Sequence, residues 1–223
     1  MRLSVAIDGP AGAGKSTIAK ILAKKMDLMY INTGAMYRAI TLKATENNVQ
    51  PENIEGICDL LDSLNIYFNN DRIIVNGNDV DDEITHPSIS SKVARYASIN
   101  EVRKRLVKIQ KEMSNQFDII MDGRDIGTVV LKDADFKFYI TASAEKRAKR
   151  RYDELKAKNI VLSYEIILDD IIKRDFEDTH RLIDPITKAE DALVIDTTCQ
   201  NIDEVVNKMH YIIISNPNFS HSK

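Results

Sequence analysis

Gly9-Pro10-Ala11-Gly12-Ala13-Gly14-Lys15-Ser16 is the stretch on which the reading of this 223-residue chain turns. Its glycines let main-chain N–H groups turn inward around an anion, and a Lys-Ser pair follows where a helix can begin. The pattern is that of a loop wrapping the phosphates of a nucleoside triphosphate. Before it, Leu3 to Ile7 is a short apolar run closed by Asp8-Gly9-Pro10, which reads as a buried strand ending in a turn. After it, Ile18, Ile21, Leu22 and Met26 recur at helical spacing across Ser16 to Met26, with lysines between them. Strand, glycine-rich loop and helix is the context the pattern requires. The helix, predicted to start at Lys15, adds its positive dipole end to the cradle. Lys15 can reach the β and γ phosphates, and Ser16 can offer its hydroxyl to Mg²⁺.

Outward from this loop, strand-like runs at Leu28 to Ile31, Asp118 to Met121, Phe136 to Ile140 and Leu193 to Ile195 are mostly followed by helical stretches. This alternation predicts an α/β fold with a parallel sheet and helices on both sides. Two stretches interrupt it. Leu64 to Val80 reads as antiparallel hairpins in a small inserted subdomain, with Asn69-Asn70-Asp71 and Asn76-Gly77-Asn78 at the turns. Glu145 to Leu168 carries Lys146, Arg147, Lys149, Arg150, Arg151, Lys156 and Lys158 and reads as a helix pair around a mobile connection. Asn216 to Lys223 reads as a frayed tail.

Thirty-one Lys plus Arg against 34 Asp plus Glu give a net charge of -3, which argues against a polyanion-coating protein yet leaves room for a local basic cleft. Apolar runs fall short of a bilayer span, and the first eight residues are too short and too acidic for a signal peptide, so a cytoplasmic protein is expected. Cys58 and Cys199 are far apart, and His86, His180, His210 and His221 stand singly. Neither a disulfide framework nor a zinc site is expected; a metal here would be held by oxygen atoms and shared with a substrate.

Triphosphate binding alone leaves enzyme, switch and ATP-driven binding module open. A GTPase needs Asp-x-x-Gly and Asn-Lys-x-Asp segments; the nearest approach, Asn207-Lys208-Met209-His210, has His where the base-reading Asp belongs and reads as a turn of surface helix. The arginines speak for catalysis. Arg38 follows Thr33-Gly34-Ala35-Met36-Tyr37, Arg124 lies in Met121-Asp122-Gly123-Arg124-Asp125-Ile126-Gly127, and Arg174 and Arg181 bracket Asp175 to His180. Arg147, Arg150 and Arg151 share a helix face by their spacing. Phosphoryl transfer asks for positive charge where negative oxygens crowd in the transition state.

Taken together, the runs Ile7 to Thr17, Thr33 to Arg38, Asp122 to Val130, and Arg174-Asp175 through Asp178 to Arg181 resemble the bacterial cytidylate kinases, in family order and from the first strand to the last helix. The resemblance implies a P-loop kinase fold over 1–223, with a nucleoside-monophosphate-binding insert at 36–103 and a lid at 148–167. It implies transfer of the γ-phosphoryl group of MgATP to CMP or dCMP by a monomer that binds neither nucleic acid nor membrane. Gly9, Pro10, Ala11, Gly12, Ala13, Gly14, Lys15, Ser16 and Thr17 would bind ATP, with Ser16 on the metal. Lys15, Arg124, Arg147 and Arg151 would be catalytic. Arg38, Arg124 and Arg174 would hold the CMP phosphate, Asp178 and Arg181 the ribose, and Arg103 with Asp125 the cytosine, while Thr33 and Tyr37 would line the acceptor site.

Chemistry agrees with the base assignment. Cytosine presents acceptors at O2 and N3 and an amino donor at N4, so it needs a cationic fork and a carboxylate, which Arg103 and Asp125 supply. Uracil would set a carbonyl against Asp125, which predicts discrimination on the order of a hundredfold or more. Departures from the family pattern are Asn32 for Asp, Thr33 for Ser, and Ala94 where a base-contacting Ser is expected; Ser91 or Ser98 could supply that contact. Asp122 could hold Mg²⁺ through water or serve as a loop anchor. Alternatives are a P-loop kinase for another small anionic acceptor, such as UMP or dTMP, and an ATP-binding regulatory module without turnover.

Overall fold

The strand predicted before the glycine loop is β1 (Ser4–Asp8), and the helix after it is α1 (Lys15–Met26). The computed structural model describes residues 2–157, 159–181 and 183–217. Lys158, counted above among the cations of the charged stretch, and residues 218–223 of the expected tail lie outside the described residues. The chain continues as β2 (Met29–Asn32), α2 (Thr33–Glu46), α3 (Ile54–Ser63), β3 (Ile66–Asn69), β4 (Arg72–Val75) and β5 (Asn78–Asp79). A 3₁₀ turn at Glu83–Thr85 and two short helices, α4 (Pro87–Ser90) and α5 (Val93–Ala97), lead into α6 (Asn100–Ser114). Then follow β6 (Ile119–Asp122), a π-type turn at Ile126–Val130, β7 (Phe136–Thr141), α7 (Ala144–Ala157), α8 (Tyr164–His180), β8 (Leu193–Asp196) and α9 (Ile202–Ile214). Among the described residues no helix is long and apolar enough to cross a membrane.

Five strands form one parallel sheet in the order β2-β6-β1-β7-β8. Because side chains alternate along a strand, β1 feeds both faces. Ala6 lies with Ile31, Ile119 and Met121 on the face covered by α2, α3 and α6. Val5 and Ile7 lie with Ile120, Phe138 and Ile140 on the other, under α1 and α9. The predicted parallel sheet with helices on both sides is therefore what forms, and strands buried on both faces explain why the runs read as continuously apolar.

The hairpins also form where the turn chemistry predicts them. β3 pairs antiparallel with β4, and β4 with β5. Asn70 and Asp71 both take positive φ (48° and 62°), as do Asn76 and Gly77 (50° and 81°), the conformation of a two-residue hairpin turn. Ile66, Phe68, Ile73 and Val75 join the same core as the α2 face of the sheet. The charged stretch is a helix pair, as expected, but its second helix runs to His180. Arg174, Asp175 and Asp178 are carried on that helix.

Candidate active site

All five parallel strands point their C-terminal ends to one edge, and the loops leaving that edge converge, as open α/β sheets dictate for ligand crevices. Register fixes the neighbours: Ile7 stands opposite Asp122, and Asp122 opposite Asn32. The glycine loop leaves β1 there. Gly9 has φ 141°, and a Cβ at this position would overlap the carbonyl oxygen of Ile140, so no other residue fits. Gly14 caps α1 in the left-handed region.

Lys15 is buried, with Nζ donating to Pro10 O at 2.8 Å. Burial holds its pKa well below the ordinary lysine range, and Arg124 adds to the effect against the pull of Asp122 and Asp8. Ser16 is exposed, and its hydroxyl donates to Asp122 Oδ2 at 2.7 Å, which leaves its lone pairs available to a cation. The phenol of buried Tyr30 donates to the other oxygen of Asp122 at 2.9 Å. Among the described residues no group of three or more His, Cys, Asp or Glu is placed to hold a metal by itself. The oxygens of Ser16 and Asp122 fit Mg²⁺ in the way hard cations are commonly held with phosphates, by one or two protein ligands plus substrate oxygens.

Across the crevice Arg38, Arg124 and Arg174 crowd together. Arg38 falls to about 10, first through burial and then through Arg174 and Arg124, with Asp122 opposing and Arg151 adding. Arg174 is likewise lowered by burial and then by Arg124. Among the described residues neither Arg38 nor Arg174 has a carboxylate within ion-pairing distance, whereas Arg124 Nε donates to Asp178 Oδ2 at 2.9 Å. A protein holds unpaired cations together at a cost that only an anion removes. The loop carrying Arg124 and Asp125 is tied down by Asp8, whose two carboxylate oxygens accept from the N–H groups of Ile126 (2.8 Å) and Gly127 (2.7 Å). Burial raises Asp8 to about 6 against those two hydrogen bonds.

Arg103 and Asp125, assigned together to the base by the resemblance, do meet: Arg103 Nη2 donates to Asp125 Oδ2, and both side chains are buried. The Arg103 guanidinium also lies over the Tyr37 ring, 5.8 Å from its centroid. Burial pushes the Asp125 carboxyl up, opposed by Arg103 and Arg181. Arg181 Nε donates to Asp184 O at 2.6 Å, while its Nη2 is buried with no hydrogen-bond partner among the described residues, 3.7 Å from Asp125 Oδ2. Thr33 spends its hydroxyl hydrogen on Asp122 O at 2.8 Å, tying α2 to β6. Ala94 is exposed. The hydroxyls of Ser91 and Ser98, which cap α4 and α5, donate back to Ser88 O and Arg95 O.

The three basic residues of α7 do not share one environment. Arg147 is buried and donates through Nε to Ala142 O, through Nη1 to Ala11 O of the glycine loop, and through both Nη atoms to Asp175, at 3.0 and 2.6 Å. Arg150 grips Thr197 O at 2.7 Å and reaches Ala13 O of the same loop at 3.3 Å. Arg151 pairs at the surface with Glu154 and stands near enough to Arg38 and Arg174 to lower both. Sequence reasoning missed Asp8, Tyr30, Arg150 as a loop anchor, and Asp184. Asp8 and Tyr30 carry a usable signal, a polar group inside an apolar strand beside the motif; Asp184 carries none.

The protein-family model described as cytidylate kinase matches residues 5–215. A cytidylate kinase of Clostridium acetobutylicum is 59% identical over 207 residues, 93% of this chain and 95% of that protein. One from Clostridium tetani is 56% identical over 215 residues, 96% of this chain and 95% of that protein. The crystal structure of an uncharacterized protein from Eubacterium ventriosum superposes with a TM-score of 0.55 at 13% identity, covering 97% of this chain and 100% of that one, a likeness of fold.

Proposed function

Because the chain belongs to the cytidylate kinase family, it is a nucleoside monophosphate kinase that phosphorylates CMP, and we propose that MgATP is its phosphoryl donor and dCMP a second acceptor. Residues 36–103 act as the monophosphate-binding insert and 148–167 as the lid of a monomeric enzyme. The observation that carries the reading of the site is the cationic cluster, in which Lys15, Arg38, Arg124, Arg151 and Arg174 repel one another. Two nucleotides bring the negative charge that relieves this repulsion.

Residues 9–17 hold the triphosphate through main-chain N–H groups, and Lys15 leaves Pro10 O to reach the β and γ phosphates. Arg38, Arg124 and Arg174 hold the phosphate of CMP, so two anions can approach in line. Asp178 and Arg181 hold the ribose, Arg103 and Asp125 the base, and Thr33 and Tyr37 line the acceptor side. Ser16 and Asp122 hold Mg²⁺, which when bound supplies positive charge to the phosphate oxygens. Arg151 faces the crowded oxygens directly. Arg147 does so on release from Asp175. No general base is required, because the acceptor phosphate oxygen is already largely ionised at neutral pH. Lid closure excludes water as the competing acceptor.

An ADP-release assay across CMP, dCMP, UMP, AMP and no acceptor tests this reading. CMP and dCMP are turned over, UMP at about a hundredfold lower kcat/KM, and ATP alone slowly. Rapid ADP release without any acceptor would count against the closure mechanism, and equal use of UMP would count against Arg103 and Asp125 as readers of the base.

A further inference from the structure

Asp184 stands outside every motif of the sequence, yet its carboxylate reaches the base-reading pair. Its Oδ2 accepts from Arg103 Nε at 2.9 Å, an ion pair in which the Arg103 side chain is 3% exposed. Arg103 is therefore gripped at two corners, by Asp184 at Nε and by Asp125 at Nη2. Arg181 closes the arrangement, with its Nε on the backbone oxygen of the same Asp184.

The consequence lies at Asp125. A guanidinium and a carboxylate left alone settle into a bidentate fork, which would occupy both carboxylate oxygens. Here Asp184 holds Nε, which removes the Nε–Nη2 fork, and Arg103 gives Asp125 a single nitrogen, Nη2. Among the described residues both cations that reach Asp125, Arg103 and Arg181, act on Oδ2. Oδ1 is the oxygen that an amino group at position 4 of a pyrimidine can then donate to, while Arg103 Nη1 stays available to the acceptors O2 and N3.

We propose that Asp184 is a positioning residue for base selection: by holding Arg103 to one-point contact with Asp125, it keeps an Asp125 oxygen open for the exocyclic amino group of cytosine. The proposal rests on the reading of Arg103 and Asp125 as the base-reading pair. Uracil, with a carbonyl at that position, gains nothing from the open oxygen, so Asp184 raises selectivity rather than general affinity.

The backbone offers a clean test. Asp184 has φ 45°, in the left-handed region that Gly and Asn tolerate best. Asp184→Gly removes the carboxylate without strain, and Asp184→Asn keeps an acceptor oxygen for Arg103 Nε. Steady-state kinetics with CMP and UMP should show kcat/KM for CMP falling about tenfold in Asp184→Gly, that for UMP changing less than about threefold, and KM for ATP holding within about twofold. Asp184→Asn should restore most of the preference for CMP. Asp125→Ala is measured alongside. If it collapses the CMP preference while Asp184→Gly leaves it intact, the positioning role is wrong and the base-reading pair stands. If Asp125→Ala leaves the preference unchanged, the base reading fails and this inference with it. A fall in Asp184→Gly that Asp184→Asn does not recover would also overturn the hydrogen-bonded positioning described here.

Discussion

Replacing Arg38 by Met should make the free protein more stable and deaf to CMP. The side chain is half-buried, has no ion-pairing carboxylate among the described residues, and faces Arg174 and Arg124; burial and these neighbours take it from the ordinary arginine range down to about 10. That drop is worth about 3 kcal/mol, and partial exposure screens it to about 1–2 kcal/mol. The sign is unfavourable: near neutral pH the guanidinium is charged in both states, and the fold holds that charge less comfortably than water does. Met keeps the aliphatic stem and removes the charge, so without CMP the variant should melt about 2–8 °C above the parent at the usual slope for a chain of this size. With CMP at a hundred times its Kd, the parent gains about 2.7 kcal/mol. The variant should gain little. Thermal melts of both proteins with and without CMP decide the matter. A variant that melts below the parent without ligand would remove burial of an unpaired cation from the account. One that keeps the parent's CMP shift would take Arg38 off the phosphate.

Two further outcomes are expected. Arg151→Ala and Arg147→Ala should each lower kcat about 10³-fold in steady-state assays. Only Arg147→Ala should also cost about 3 kcal/mol of stability, since it strands Asp175 and frees Ala11 O. Near-normal turnover of either variant would put that side chain outside the reaction. Asp8, raised to about 6 by burial, keeps a proton in the folded chain between about pH 4 and pH 6 that the unfolded chain has released. Its contribution to stability therefore falls by about 3 kcal/mol as pH rises through that window. Asp8→Asn should flatten this slope in denaturant melts; an unchanged slope would show that the group titrating there is another.

What could be read ahead of the structure was whatever backbone chemistry forces locally. Gly9 admits no side chain beside Ile140 O, and Asn70-Asp71 and Asn76-Gly77 sit at positive φ, so the glycine loop and both hairpin turns were legible from residue types alone. Strands such as β1, buried on both faces with Ala6 to one side and Val5 and Ile7 to the other, read as continuously apolar runs, and their alternation with helical stretches made the doubly covered sheet legible as well. Arg103 and Asp125 were paired by the family resemblance, the hydrogen-bonding needs of cytosine agreed with it, and their side chains do meet. Helical spacing could not separate Arg147 and Arg150, locked on loop carbonyls, from Arg151 at the surface, because that difference comes from Asp175 and Thr197 on other elements. The short helices α4 and α5 lack enough turns to show a period. Asp184 follows a helix end in an irregular segment, where only the fold could bring it to Arg103.

The packing of the two lobes differs in what outward bending of each would expose. Ala148, Leu155, Ile167 and Ile171 make a private core between α7 and α8, whereas Ile66, Phe68, Ile73 and Val75 share theirs with Ala6 and Ile31 of the sheet. A flap with its own core can bend outward as a solid piece, pulling on the rivets at Arg147 and Arg150 and wetting little hydrocarbon. The hairpin lobe has no such seam. Prising it up would tear open hydrocarbon packed against the sheet, so lifting the hairpin lobe would cost more than bending the helical flap.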